Sequence, residues 1–212
     1  VVFGIDRAGL VGDDGPTHHG VFDVGFLRQV PGMQVLCPAS TCELKDMLSW
    51  AVNEQNSPVA IRYPRGGNKR YVDSAWKDGT VCVHAHGKDA VLVTYGIMID
   101  NVMQAKEILE EQGISVSVLR LLSLSQIPVD EIVRHIPSDV PVCIFEETMA
   151  HCGIGEYLSM QLRGSYCTNS TYVKNLGSDF VPHGDMSALY HHCGLDGQSI
   201  AKFVQEVCSR EN

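Results

Sequence analysis

Asp6, Arg7, Asp14, His18 and His19 lie within fourteen consecutive positions near the start of the chain, in a stretch that reads IDRAGLVGDDGPTHHG over residues 5–20. A guanidinium pairs with phosphate or carboxylate through two parallel N–H···O bonds. A carboxylate takes up a substrate hydroxyl, and an imidazole moves protons near neutral pH. The same stretch holds four glycines and a proline, and Gly, Asp and Pro gather in surface turns for backbone reasons alone. Composition by itself therefore favours a turn. Arg65, in the run RYPRG, changes that balance.

The elements around these residues must position them. Residues 1–6 are an apolar run with the pattern of a buried strand. Residues 21–30 carry apolar side chains at helical spacing, ended by Pro31-Gly32. Residues 34–37 give a second strand. Ser40 followed three positions later by Glu43 is a capping box, opening a helix to about residue 55 with Leu44, Met47, Leu48 and Ala51 on one face. Residues 59–63 are a third strand. Strands alternating with helices make a parallel α/β sheet, whose strands end at one edge where ligands bind. Arg7 follows the first strand and Arg65 the third, so both belong at that edge, with the loop carrying Asp14 and His18. The expected pocket holds two guanidiniums, a carboxylate and an imidazole, and its natural occupant is an anionic small molecule. Local ion pairs at each arginine are the competing reading.

Of the 212 residues, 44% are hydrophobic and 19% charged, which is enough for a real core. The net charge of −9 with no basic run excludes nucleic-acid binding as a class. No apolar stretch approaches the roughly 20 residues needed to span a bilayer, and no signal peptide is visible. The eight cysteines form no C-x-x-C pair, and several sit inside apolar runs as small buried hydrophobes. A reduced, cytoplasmic protein is expected. Val1 already lies within a strand pattern with no initiator Met, so the chain is expected to be cut from something longer.

Residues 68–89 read as a linker with a small hairpin or edge strand, where His84 and His86 alternate on a polar face without an evident third metal ligand. A second α/β unit fills residues 90–212. Its strands are expected over residues 90–95, 115–120, 140–146 and 171–176. Its helices are expected over 99–112, 128–136, 153–162, 187–192 and 199–208. Glu146-Glu147, beside His151, is either a like-charge pair at a cleft or a helix cap, and capping is favoured. His183 sits in a turn, and His191-His192-Cys193 reads as a helix end.

With these residues laid out, the chain resembles the C-terminal part of the 1-deoxy-D-xylulose-5-phosphate synthase family, thiamine-diphosphate enzymes of the transketolase superfamily. DRAGLVGDDGPTHHG followed by FD and LR carries the likeness, with RYPRG, SDFVPHG at residues 178–184 and GLDGQSI at residues 194–200. DGPTH is shared with transketolases generally, whereas Asp6-Arg7, Leu10-Val11-Gly12 and RYPRG point to the synthase. The family has Gln where His19 stands, and a lysine before the proline in the segment RLLSLSQIPVDE.

The resemblance implies a partial pyrimidine-binding-type parallel sheet domain over residues 1–67 and a transketolase C-terminal α/β domain over 90–212. It implies condensation of pyruvate with glyceraldehyde 3-phosphate with decarboxylation, feeding isoprenoid, thiamine and pyridoxal synthesis. It gives the acceptor's phosphate to Arg7 and Arg65, a substrate hydroxyl to Asp14, and proton transfer near the reactive thiazolium carbon to His18. Thiamine diphosphate and Mg2+ are the parent's cofactors, and a homodimer is its assembly. The family's activating glutamate and its diphosphate-binding domain lie upstream of the matched region. The chain alone is therefore expected to bind no cofactor and to be inactive. A transketolase fragment, a fragment of a 2-oxo-acid dehydrogenase beta subunit, and a non-catalytic dimerisation module are the alternatives.

Overall fold

The computed structural model describes residues 1–66, 76, 80–165 and 167–211. It is α/β, with two sheets. In the first, β1 (Val2–Ile5), β2 (Gln34–Leu36) and β3 (Val59–Arg62) run parallel in the order β1-β3-β2. All four residues of the central β3 are buried, as a strand covered on both faces must be. Between the strands lie α1 (Asp23–Leu27) and α2 (Thr41–Asn53). The helix expected over residues 21–30 is shorter than its pattern because beyond Leu27 the chain tightens into three-residue turns, with Gln29 N–H on Phe26 O and Val30 N–H on Leu27 O.

The second sheet holds β4 (Val81–Ala85), β5 (Ala90–Tyr95), β6 (Val116–Leu121), β7 (Val142–Phe145) and β8 (Thr171–Lys174), in the order β4-β6-β5-β7-β8. Every residue of β5, β6 and β7 is buried. Only β4 runs antiparallel, pairing with β6 at the sheet's edge. It occupies part of the stretch expected as a linker. Residues 67–75 and 77–79 of that region lie outside the described residues. Five helices complete this unit: α3 (Ile99–Glu111), α4 (Val129–Arg134), α5 (Gly155–Gly164), α6 (Met186–Cys193) and α7 (Gly197–Glu211). α7 begins two residues before its expected start because Asp196 Oδ1 accepts the amides of Gln198 and Ser199. The last strand stops at Lys174 because Leu176 N–H turns away to Thr148 O.

The two units share a core. The free edge of β2 is closed by the segment after β6, with Cys37 N–H on Leu122 O at 3.0 Å and Leu124 N–H on Val35 O at 2.8 Å. Arg28 Nε donates to Leu124 O at 2.7 Å across the same seam. Val35, Cys37 and Ala60 of the first unit pack in one apolar cluster with Val91, Val93, Leu119 and Leu121 of the second.

One buried ion pair crosses this junction. Ser40 caps α2, its Oγ accepting Glu43 N–H at 3.1 Å. The Glu43 carboxylate takes Ala39 N–H at 2.7 Å. It also receives both arms of Arg120 from β6, at 2.7 and 2.9 Å. Glu43 is 0% and Arg120 2% exposed. Arg120 Nε donates in turn to His84 Nε2 at 3.1 Å. Burial and the adjacent guanidinium push the His84 imidazole down to about 4.

Two outcomes follow from this junction. Glu43→Ala or Arg120→Ala leaves its partner's charge buried and uncompensated, and is expected to cost about 3–5 kcal/mol in a denaturant titration. Replacing both by apolar residues recovers most of that loss. For His84, the unfolded chain takes up its proton near pH 6.5, and the folded chain only near 4. The stability it contributes is complete above the unfolded value and is lost as the pH falls toward the folded one. Thermal unfolding midpoints are expected to decline across that window, and His84→Gln is expected to flatten the decline.

Candidate functional site

β1 and β3 are neighbouring parallel strands, so the residues that follow them emerge side by side. Beyond Ile5 the chain makes a loop that closes on itself. Gly9 N–H donates to Gly20 O at 2.8 Å and Gly20 N–H to Gly9 O at 2.9 Å. Gly20 N–H also reaches Arg7 O at 3.0 Å. A Cβ at Gly20 would lie 2.2 Å from Arg7 O, so no side chain fits this crossing. Arg7 itself adopts a left-handed backbone, φ +57°, an uncommon conformation for a residue with a side chain. Ala8 N–H then returns to Tyr63 O at 3.0 Å, locking the loop to the end of β3.

Within the loop a 3-10 turn, Gly12–Asp14, lifts the Asp14 carboxylate between two arginines. Arg7 Nε is 3.2 Å from Asp14 Oδ2, and Arg65 NH1 is 2.7 Å from Asp14 Oδ1. Arg7 NH1 also meets Asp6 at 2.9 Å. Arg7, Asp14 and Arg65 are thus brought together at the carboxyl edge of the sheet. Arg65 is 54% and Arg7 42% exposed, against 23% for Asp14. Each guanidinium is thus engaged in the local ion pairs that were the competing reading, Arg7 with Asp6 and Asp14 and Arg65 with Asp14, while part of each remains exposed to solvent.

His18 is exposed on the following turn, its Nδ1 3.0 Å from Thr17 Oγ1. His19, its neighbour, is buried. Val11 N–H donates to His19 Nδ1 at 3.0 Å, and His19 Nε2 is 3.2 Å from Pro182 O.

Beneath the open cluster lies a second arginine–carboxylate pair that the sequence did not single out. Arg62, at the end of β3, donates from Nε to Asp23 Oδ2 at 2.8 Å and from NH2 to Gly20 O at 2.6 Å. Burial disfavours its charge, but the Asp23 carboxylate outweighs that and holds the Arg62 guanidinium above its ordinary value. The signal was present in RYPRG, whose first arginine closes the strand and whose second lies beyond it. Burial pushes the nearby Cys37 thiol up to about 12, so it is no nucleophile at neutral pH.

The remaining candidates have structural partners. Glu146, 1% exposed, accepts Ile154 N–H at 2.8 Å and Gly155 N–H at 3.3 Å at the start of α5. It also accepts the Tyr95 hydroxyl at 3.2 Å. It is the expected cap, and burial pushes its carboxyl up. Glu147 hydrogen-bonds Tyr190, whose hydroxyl is raised by burial and by that carboxylate. Glu147 also lies against Gly9, where an added Cβ would sit 2.4 Å from its Oε2. His151 pairs with Glu156 at 2.9 Å and His191 with Asp196 at 3.2 Å. His84 is taken by Arg120. Among the described residues no group of three or more His, Cys, Asp or Glu side chains could hold a metal ion.

A cleft of about 350 Å³ opens beside Arg65, between the loop and the start of α6, lined in part by Val11, Asp13, Ile97, Asp185 and Met186. Of the cluster only Arg65 lines it.

Residues 1–69 match the family model described as the transketolase pyrimidine binding domain, and residues 79–200 the one described as the transketolase C-terminal domain. The 1-deoxy-D-xylulose-5-phosphate synthase of Chlorobium luteolum is 38% identical over 210 residues, covering 97% of this chain and 33% of that protein. That of Clostridium kluyveri is also 38% identical, over 218 residues, covering 98% of this chain and 33% of that protein. The chain thus spans about a third of the length of the curated relatives it matches. A structure described as a split gene transketolase, inactive beta4 tetramer, superposes with a TM-score of 0.83 at 26% identity. It covers 100% of this chain and 67% of that one. Transketolase from Campylobacter jejuni shares the fold, with a TM-score of 0.74 at 19% identity over 97% of this chain and 31% of that one.

Gly20→Ala tests the loop's closure. The clash with Arg7 O is with backbone and cannot be relieved by a side-chain rotation, so a loss of about 1–3 kcal/mol is expected. Faster proteolytic cleavage within residues 7–20, with the rest of the chain still protected, is its signature.

Proposed function

The chain belongs to the transketolase family, and on that premise we propose that it is the acceptor-binding third of a 1-deoxy-D-xylulose-5-phosphate synthase. In that enzyme pyruvate condenses with glyceraldehyde 3-phosphate and carbon dioxide leaves. The observation that carries this reading is the Arg7–Asp14–Arg65 cluster, two partly exposed guanidiniums sharing one carboxylate at a sheet edge, with Asp6 also on Arg7.

Each residue has a role that its surroundings support. Arg7 and Arg65 hold the phosphate of the acceptor, since guanidinium forks match phosphate oxygens in geometry and charge. Asp14 keeps the forks aimed at one point before substrate arrives, then accepts a hydroxyl of the bound sugar phosphate. His18, exposed on the next turn, moves a proton at the acceptor's aldehyde oxygen. Arg62 and Asp23 underpin the loop and touch no substrate.

Thiamine diphosphate supplies a nucleophilic carbon in this family, but the residues of this chain do not fit its diphosphate and magnesium. The carboxylates at the cleft, Asp13 and Asp185, would repel a diphosphate. Asp185 is committed to capping α6 through Ser187 N–H and Ala188 N–H. The diphosphate and magnesium are therefore assigned to other parts of the full-length protein, and the residue roles given to this chain concern the acceptor. A cytoplasmic homodimer is the assembly this reading expects, and no helix among the described residues is long and apolar enough to cross a membrane.

A second reading is favoured by the split-gene neighbour, which covers the whole of this chain. On this reading the chain is part of a transketolase, whose donor would be a ketose. The donor separates the two readings.

The chain alone is expected to give no product from pyruvate and glyceraldehyde 3-phosphate. In the full-length protein, Arg65→Ala is expected to raise KM for glyceraldehyde 3-phosphate by roughly ten- to a hundred-fold, the loss of hydrogen bonds to a charged group. KM for pyruvate should stay within about twofold. Turnover with a ketose donor and none with pyruvate would instead establish a transketolase.

A further inference from the structure

We propose that His19 is the positioning residue of the Arg7–Asp14–Arg65 cluster. It acts through the Val11 backbone, which it ties to the Pro182 carbonyl of the second unit. This deepens the reading above and rests on that cluster being an anion site.

The two adjacent histidines have opposite fates. His18 faces solvent, whereas His19 is 8% exposed and both its ring nitrogens are engaged. Its partners fix its chemistry. A backbone N–H only donates and a carbonyl only accepts. Nδ1, which receives the Val11 N–H, therefore carries no proton, and Nε2, which meets Pro182 O, carries one. The ring is a neutral connector of defined tautomer. An imidazolium would set two N–H groups against each other at Val11.

Val11 is the point where this connector meets the site. Its N–H goes to His19, while its carbonyl receives the Asp14 N–H and Arg65 NH1, both at 3.5 Å. The backbone of one residue thus touches the connector through its N–H and two members of the cluster through its carbonyl. Asp14 in turn receives Arg65 at 2.7 Å and Arg7 at 3.2 Å. The segment holding Pro182 presses on the same turn, with Gly184 N–H on Gly12 O at 3.4 Å. The C-terminal unit thereby reaches the anion site through the Pro182 carbonyl as well as through the residues that line the cleft beside Arg65. A histidine that merely filled space would need neither the tautomer nor the Val11 bond.

The test separates the two nitrogens. In His19→Asn the amide oxygen stands near the Nδ1 position and can still receive Val11 N–H, but the side chain is too short for Pro182. In His19→Gln the amide reaches the Pro182 carbonyl and the Nδ1 acceptor is lost. The full 212-residue chain, with 15N-labelled histidine, is titrated with inorganic phosphate at fixed ionic strength. Spectra should show His19 as the Nε2–H tautomer. Phosphate affinity should fall about tenfold in His19→Ala and His19→Gln, and by less in His19→Asn. Equal affinity in all four proteins, or an Nδ1–H tautomer, overturns the proposal. If the unmutated chain binds no phosphate, the anion-site reading fails on its own. Amide exchange at residues 11–14 then decides the positioning claim. Faster exchange in His19→Ala and His19→Gln than in His19→Asn upholds it, and unchanged exchange overturns it.

Discussion

The buried pair of Glu43 and Arg120 is the constraint on which the arrangement of the two units depends. Its partners are 77 positions apart, one at the start of α2 and the other near the end of β6. Apolar contacts along the seam are non-directional and would tolerate sliding. A two-armed guanidinium–carboxylate contact does not, because a shift of a residue would leave two charges dry and unpaired. The pair therefore acts as a register pin. It fixes β2 against the segment after β6, and through β2 it fixes β3, whose far end delivers Arg62, Tyr63 and Arg65.

Above that pin the site is built in two electrostatic layers with different duties. In the lower layer Arg62 and Asp23 are almost fully buried, and Arg62 also holds the Gly20 carbonyl. Disrupting either would strand a charge, so this layer is fixed. In the upper layer Arg7, Asp14 and Arg65 are partly in water, where an ion pair contributes between nothing and about 1 kcal/mol. A contact that weak can be exchanged for a ligand at little cost. The lower pair holds the loop's shape, and the upper set can trade partners without loss of that shape.

The sequence made the first half of this legible. Parallel strands must end at one edge, so Arg7 and Arg65 could be brought together from strand order alone, and Asp14 with them. The capping role of Ser40 and of Glu146 was equally readable, because capping is local. What could not be read were contacts whose partners lie on another sheet. Nothing near Glu43 announces Arg120, and a capping glutamate looks the same whether its far side meets solvent or a buried guanidinium. β4 was foreseen as a hairpin or edge strand, but its partner β6, some thirty-five positions away, was hidden for the same reason. His18 and His19 show the limit most clearly. Two identical residues side by side differ only in which way the backbone turns them, and a loop without periodicity carries no signal for that.

The closed loop has a consequence for how such a site diversifies. Its two ends are bonded to each other at Gly9 and Gly20, and His19 and Gly12 tie it to the second unit, so the exposed residues between these anchors form a cassette. The entropic cost of closing such a segment grows only slowly with length, by about 0.6 kcal/mol for each doubling. Exchanges at its exposed positions would leave the sheet and the Glu43–Arg120 pair untouched. They would move only the carboxylate and the exposed imidazole relative to the arginines. Selection can therefore retune what the edge recognises without renegotiating the fold that carries it.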